Sequence, residues 1–304
     1  MRVSWSPGYV VPLPEGHPFP MGKFTALHRI LLAEGVVQPQ DVVEPQEAQW
    51  ADLRLAHAGG YLGALAEGSL ERAAERRMGL PWSKALVRRS RLATQGTLNA
   101  ALMALEDGVA GNLAGGTHHA FADRGEGFCV LNDVAVSIRV LKRSRFVRRV
   151  LVIDLDVHQG NGTAAIFAGD PEVFTFSVHG EKNFPFRKEA SCLDVGLPDG
   201  TGDIAYLDAL VAHLDDVFAR ARPDLVFYLA GVDPVEGDRF GRLALTPHGL
   251  RDRDRFVLET VRRHGAPVVI VLSGGYAPTP ERTAELHATV FREAVSLWGS
   301  GLEL

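Results

Sequence analysis

The sequence is poor in cysteine: of 304 residues, only Cys129 and Cys192 are thiols. Two thiols make neither a disulfide framework nor a cysteine-rich zinc site, and a reducing cytoplasmic compartment is their natural home. Long hydrophobic runs are missing too. No segment approaches the roughly 18 apolar residues that span a bilayer. The N-terminal MRVSWSPGYVVPLPEG carries no basic stretch followed by a long apolar core, so no membrane span or export signal is expected. Positive charge is not in excess: the net charge of -5 gives no general attraction to nucleic acid or anionic membrane. Repeats, low-complexity tracts and clear linkers are absent. The remaining composition, 46% hydrophobic and 23% charged, suits one large globular domain over residues 1–304.

Residues 1–20 are rich in Pro and Gly and read as a loop-like lead-in. A helix is expected from Lys23 to Glu34, ending near Gly35, and a short one near Gln46 to His57. The stretch from Arg72 to Arg91 is strongly basic around Pro81 and Trp82. Its plain reading is a solvated surface, its sharper one a docking surface for an acidic partner. Ser90 is placed to cap a helix that stops at Gly108, and Asn132 or Asp133 to cap one from Val134 to Arg143. Apolar runs at Val150–Ile153, Val173–Val178, Leu225–Leu229 and Val268–Leu272 read as buried strands. Amphipathic stretches at Ala205–Ala221 and Leu250–Arg263 separate the later ones. Thr246 with Pro247, and Thr279 with Pro280, open the last two long helices, and Gly265 and Gly299 close them. This alternation predicts an α/β fold with a mainly parallel central sheet and helices on both faces.

Polar residues follow the apolar runs. Asp154, Asp156 and His158 come at the end of the first, with His179 after the second, Asp233 after LVFYLAG and Tyr276 after VVIVLSGG. The carboxyl edge of a parallel sheet is where loops diverge and ligands bind. Side-chain alternation puts Asp154, Asp156 and His158 on one side, where grouped carboxylates need a cation. A lone Asp after a strand is usually a cap or turn residue, but three ends converging point to a metal. Asp156, His158 and Asp233 make a three-ligand set with open positions, the pattern of a catalytic zinc, with ferrous iron or manganese as alternatives. The pair His118 and His119 lies in a glycine-rich loop. Alone it is more often surface polarity or core hydrogen bonding. Beside a metal, two imidazoles can divide proton removal and donation, with Asp154 and Asn161 available to orient them. Tyr276 follows Gly274 and Gly275, and a phenol aimed into a crevice suits an oxyanion.

The motifs GGTHHAF, DRGEGFC, IDLDVHQGNG, LAGVD with EGDRFGRLALT, and SGGY occur in that order. Together they resemble the zinc-dependent histone deacetylase family, most of all its class IV branch and bacterial relatives, from about Pro20 onward. The resemblance implies an arginase/deacetylase-like fold and hydrolysis of an N-acylated amine, usually acyl-lysine, by metal-activated water. It further implies zinc on Asp156, His158 and Asp233, catalytic His118 and His119, a carbonyl-polarising Tyr276, and Asp154 behind His118 where a monovalent cation such as K+ often sits. Asn161 stands behind His119 where many class I members have Asp. That replacement leaves His119 less biased toward its protonated form, and His119 is expected to protonate the departing amine. Gly127, Phe128 and Phe184 match the substrate tunnel. Phe240 stands where a polyamine-selective relative shows an acidic gate, which argues for acyl-lysine over acetylpolyamines, although Glu236 lies nearby. Rival readings are a ureohydrolase with two manganese ions, for which further carboxylates are lacking, and a non-catalytic acyl-amine binding module. Oligomeric state is left open.

Overall fold

The structure, a computed structural model, describes residues 1–299. In chain order its elements are β1 (Val3–Ser4), α1 (Lys23–Ala33), β2 (Val42–Val43), α2 (Trp50–Leu53), α3 (Gly59–Glu67), α4 (Arg72–Met78), α5 (Lys84–Asp107) and β3 (Val109–Asn112). There follow α6 (Asp133–Arg143), β4 (Val150–Asp154), α7 (Asn161–Ile166), β5 (Val173–Gly180), β6 (Leu193–Leu197), α8 (Asp203–Ala221), β7 (Leu225–Leu229), α9 (Pro247–Arg263), β8 (Val268–Val271) and α10 (Pro280–Gly299). The strands form one sheet in the order β2-β1-β3-β8-β7-β4-β5-β6. Every pairing in it is parallel.

Parallel strands need crossovers, and the intervening helices cover both faces of the sheet. Adjacent residues of β3 display the two faces. A side chain on Gly111 would run into Phe291 of α10, whereas Asn112 donates to Thr97 Oγ1 of α5 at 2.9 Å. Strands β4, β7 and β8 lie at the centre and are buried along their whole length, which is why they read as unbroken apolar runs. Each fully buried Val, Leu or Ile there contributes about 1.5–3 kcal/mol. In register, Asp154 of β4 pairs with Leu229 of β7, so the segments beyond these two ends emerge side by side.

The long helices other than α5 match expectation closely, and so do three caps. Thr246 Oγ1 accepts from Gly249 N, Thr279 Oγ1 from Arg282 N, and Asn132 Oδ1 from Ala135 N. Ser90 does not cap a helix. It lies inside α5, where its Oγ donates to Leu86 O, and Ser83 is the cap, accepting from Leu86 N at 3.0 Å. The helix start is masked because residues 84–91, its first two turns, include four basic residues, Lys84, Arg88, Arg89 and Arg91. The lead-in is not all loop, since Val3–Ser4 inserts between β2 and β3. The helix near Gln46 to His57 is one turn, Trp50–Leu53. Strands β1, β2, β3 and β6 were not anticipated.

Behind the carboxyl edge, Arg253 of α9 is completely buried. Its Nη1 donates to Leu155 O at 3.2 Å and Gly231 O at 2.6 Å, while Nε and Nη2 reach Asp254 Oδ1 at 3.0 and 2.7 Å. Tyr228 Oη donates to the same oxygen at 2.5 Å. One guanidinium thus ties together the backbones just before Asp156 and before Asp233. Replacing it leaves a buried carboxylate without its cation, so Arg253→Leu is expected to lower unfolding stability by about 3–5 kcal/mol in a urea titration. A change under 1 kcal/mol would contradict this account.

Candidate active site

Beyond the end of β4 the chain turns instead of continuing as strand. Asp154 Oδ1 accepts from Asp156 N at 3.2 Å and Asp156 Oδ1 from His158 N at 2.9 Å. These successive side-chain turns bring Asp156 and His158 together, so strand alternation is not the cause. Asp233 arrives from the segment after β7, where its Oδ1 accepts from Val157 N at 2.9 Å. His158 Nδ1 lies 2.9 Å from Asp156 Oδ1 and 3.2 Å from Asp233 Oδ2, and all three residues are buried. Ligand atoms of the three fall within 4.8 Å of one another, the one such cluster among the described residues.

The donor set fits a divalent cation on two observations. Asp233 Oδ2 is buried without a well-formed hydrogen bond. The site also draws in positive charge: burial lowers the His158 pKa, yet Asp156 and Asp233 outweigh burial and raise it to about 10. Burial, reinforced by Asp156, lifts Asp233 to about 7. Two carboxylates and an imidazole with an open side suit zinc, iron or manganese.

His118 and His119 stand beside the cluster, their ring centroids 4.1 Å apart. His118 Nδ1 meets Asp154 Oδ2 at 2.7 Å, and His119 Nδ1 meets Asn161 Oδ1 at 2.7 Å. Asn161 Nδ2 donates to Glu126 Oε1 at 3.1 Å, which fixes the amide so that its oxygen faces His119. His119 therefore carries its proton on Nδ1, and Nε2 is its basic atom. The two rings differ electrically. Burial lowers His118, but Asp154 and Asp156 overcome it and raise it to about 9. Burial, then the charges of His118 and His158, hold His119 well below the ordinary range. His179 stays apart inside β5, against Ser177 Oγ at 2.9 Å.

A cavity of about 450 Å³ opens over the cluster, and His119, His158 and Tyr276 are among its lining residues. Gly127, Phe128, Phe184 and Phe240 line it too. Phe184 packs edge-on against His119 at 4.9 Å, and Phe240 edge-on against Tyr276 at 4.9 Å. Glu236 is exposed and does not line the cavity. Gly127 sits at φ 55, where a side chain would meet the His119 ring at 2.6 Å.

Several supporting contacts become visible only in the fold. Asp238 accepts from Tyr276 N at 2.6 Å, and Ser273 Oγ and Gly274 N donate to Asp156 Oδ2 at 2.7 and 2.6 Å. Asp133 orients the histidine loop by accepting from Gly116 N and Thr117 N. Lys23 is buried beneath the Tyr276 turn, with Nζ 3.2 Å from Ser273 O and 5.6 Å from the Tyr276 ring centroid. Burial lowers its pKa to about 8. Its distance of 250 positions from Ser273 explains why sequence motifs do not reveal it. Glu126 lies in DRGEGFC, but only its contact with Asn161 exposes its task.

An eight-stranded parallel sheet with this cluster at its carboxyl edge defines an arginase/deacetylase-like α/β protein. The chain belongs to the histone deacetylase family: the family model described as "Histone deacetylase domain" matches residues 17–293. It is 50% identical to an uncharacterized protein of Picosynechococcus sp. over 96% of this chain and 97% of that one. It is 33% identical to histone deacetylase 2 of Arabidopsis thaliana, over 88% of this chain and 71% of the relative. A crystal structure of an HDAC homologue complexed with SAHA superposes with a TM-score of 0.84 at 27% identity, covering 100% of this chain and 85% of that one. Membership makes the chain a hydrolase of the deacetylase type.

A side chain on Gly274 would overlap Asp233 Oδ2 and crowd Asp156 Oδ2 at 2.6 Å. Gly274→Ala is therefore expected to weaken zinc binding by about 10–100-fold in a competitive chelator titration while far-UV circular dichroism stays native. Wild-type affinity in a natively folded variant would refute the assigned ligand pair.

Proposed function

We propose that this chain removes an acyl group, acetyl or longer, from an acyl-lysine-like amine, with zinc held by Asp156, His158 and Asp233. The observation that carries the reading is the shared lining of one aromatic-walled cavity by His119, His158 and Tyr276. Bound there, a divalent metal supplies a Lewis acid for the amide carbonyl and acidifies a water.

The side chains divide the remaining work. Phe128, Phe184 and Phe240 flank an extended aliphatic chain and exclude water from it. Tyr276 stays a phenol, because burial and then Asp156 and Asp233 push its pKa well above the ordinary range. Its hydroxyl can donate to the oxygen on which negative charge develops. His119, neutral and donating through Nδ1 to Asn161, takes the water's proton on Nε2 and passes it to the departing amine. His118, kept charged by Asp154, adds positive potential beside the reacting carbonyl. Cavity wall chemistry supports acyl-lysine over acetylpolyamines, since Phe240 lines the cavity and Glu236 does not. The single three-residue cluster among the described residues supports one catalytic metal over the two of a ureohydrolase. Free Cys129 and Cys192 suit a cytoplasmic setting.

Purified zinc-loaded protein is expected to release free amine from a fluorogenic acyl-lysine peptide. Chelation should abolish release, and Tyr276→Phe should cut kcat by about 10²–10³-fold. Tight binding of the peptide without turnover would favour the binding-module reading. In Asn161→Asp, a carboxylate behind His119 raises that histidine's pKa. The base must be neutral to act, so the acidic limb of kcat/KM against pH moves to higher pH. An unmoved limb would remove His119 from the role of base.

A further inference from the structure

The basic stretch Arg72–Arg91 resolves residue by residue. Arg88 Nε and Arg91 Nη1 pair with Glu47 at 3.1 and 2.6 Å. Arg89 turns inward and donates to Tyr9 O at 3.0 Å. Arg77 does neither, for it lines the mouth of the active-site cavity.

Lys182, Arg239 and Arg242 join Arg77 around that mouth, while no Asp or Glu is among the lining residues. All four cations are exposed. They come from three separate segments: the end of α4, the β5–β6 loop and the loop between β7 and α9. Each segment is fastened to the cavity wall. Gly127 N donates to Arg77 O at 3.2 Å, Asn183 Nδ2 to Phe240 O at 2.6 Å, and Arg239 N to Tyr276 O at 3.3 Å. Arg242 is partly neutralised by Asp199 at 3.3 Å. Arg77, Lys182 and Arg239 have no carboxylate within 4.0 Å among the described residues. The acids nearest in sequence, Glu75, Glu181 and Asp238, form no ion pair with these three cations and do not line the cavity. Glu181 and Glu236 do not line the cavity, and Asp238 already accepts from the backbone N–H groups of Phe240, Gly241 and Tyr276. A protein of net charge -5 has thus gathered unpaired cations around one opening.

We infer that the substrate is an acyl-amine bearing carboxylate groups next to the acylated side chain, read by Arg77, Lys182 and Arg239 at the rim. This rests on the proposed deacylase reading and specifies its substrate class. Carboxylates at the rim lower the mutual repulsion of the three cations and are drawn in by their summed field. A second ammonium, as in a polyamine, is repelled. Exposed Phe186, also at the mouth, offers an apolar surface for the backbone beside the acylated residue. The carboxylates can belong to acidic residues in a peptide or to the free α-carboxylate of a small acylated amino acid.

The test compares kcat/KM for three acyl-lysine peptides of equal length with Asp/Glu, Ser/Gly or Lys/Arg flanks, and for free Nε-acetyl-lysine against its amide. At low ionic strength the acidic substrates are expected to exceed the basic ones by on the order of tenfold, and 0.5 M salt should shrink the ratio. Arg77→Glu and Arg239→Glu should flatten or invert the ratio, and the paired Arg77→Gln with Arg239→Gln should flatten it if either reversal misfolds. Preference confined to the peptides identifies an acidic protein segment as the source, and preference confined to free Nε-acetyl-lysine identifies a small metabolite. Cleavage of every substrate without an acidic preference, or a preference untouched by the variants, overturns the inference and leaves the deacylase reading standing. Cleavage of none overturns the deacylase reading and this one with it.

Discussion

The organising constraint of this molecule is the burial of three carboxylates, Asp154, Asp156 and Asp233, at one edge of a parallel sheet. Each ionised group taken from water costs several kcal/mol unless positive charge or hydrogen bonds meet it. The surrounding architecture can be understood as supplying both. Ser273 Oγ and the backbone of Gly274 and Val157 donate to the carboxylates directly. Arg253 holds carbonyls of the segments that carry Asp156 and Asp233, and Lys23 holds that of Ser273, one of the donors. What these donors leave unmet, a buried Asp233 oxygen and a strong demand for charge at His158, is the demand that a divalent ion fits.

The strand ends and the clustering of Asp156, His158 and Asp233 were legible because central parallel strands have no polar face. An unbroken apolar run followed by Asp therefore marks both a strand and its carboxyl end. Less of the periphery could be read. β1 and β2 have two residues each, too short for a pattern, and β3 is the glycine-containing VAGN. β6 alternates exposed and half-buried residues at the sheet margin, with Gly196 inside it. The Ser83 cap was hidden because four basic residues fall within the first two turns of α5. Of the candidate site, Asp156, His158, Asp233, the two histidines and Tyr276 sit in compact motifs. Lys23, Asp238, Asp133 and Glu126 act through contacts that join distant segments, and one sequence cannot show which segments meet.

The paired histidines show how neighbours in sequence acquire different chemistry. His118 and His119 are adjacent and equally buried, and desolvation alone would hold both neutral. A carboxylate behind the first reverses that result, while a neutral amide behind the second does not. The charge raised on His118 then presses the His119 proton affinity lower still. Their surroundings thus push the proton affinities of two adjacent rings in opposite directions.

Glu126 adds a step to that logic. If the Asn161 amide could turn over, its NH₂ would face His119, and Nδ1 would have to serve as the acceptor, leaving Nε2 protonated and unable to act as a base. The Glu126 carboxylate can only accept, so it retains the NH₂ and excludes the turned form. Glu126 lies one residue before Gly127, whose left-handed backbone brings the chain against the His119 ring. The same short turn therefore fixes the Asn161 amide that faces His119 and presents Phe128 to the cavity.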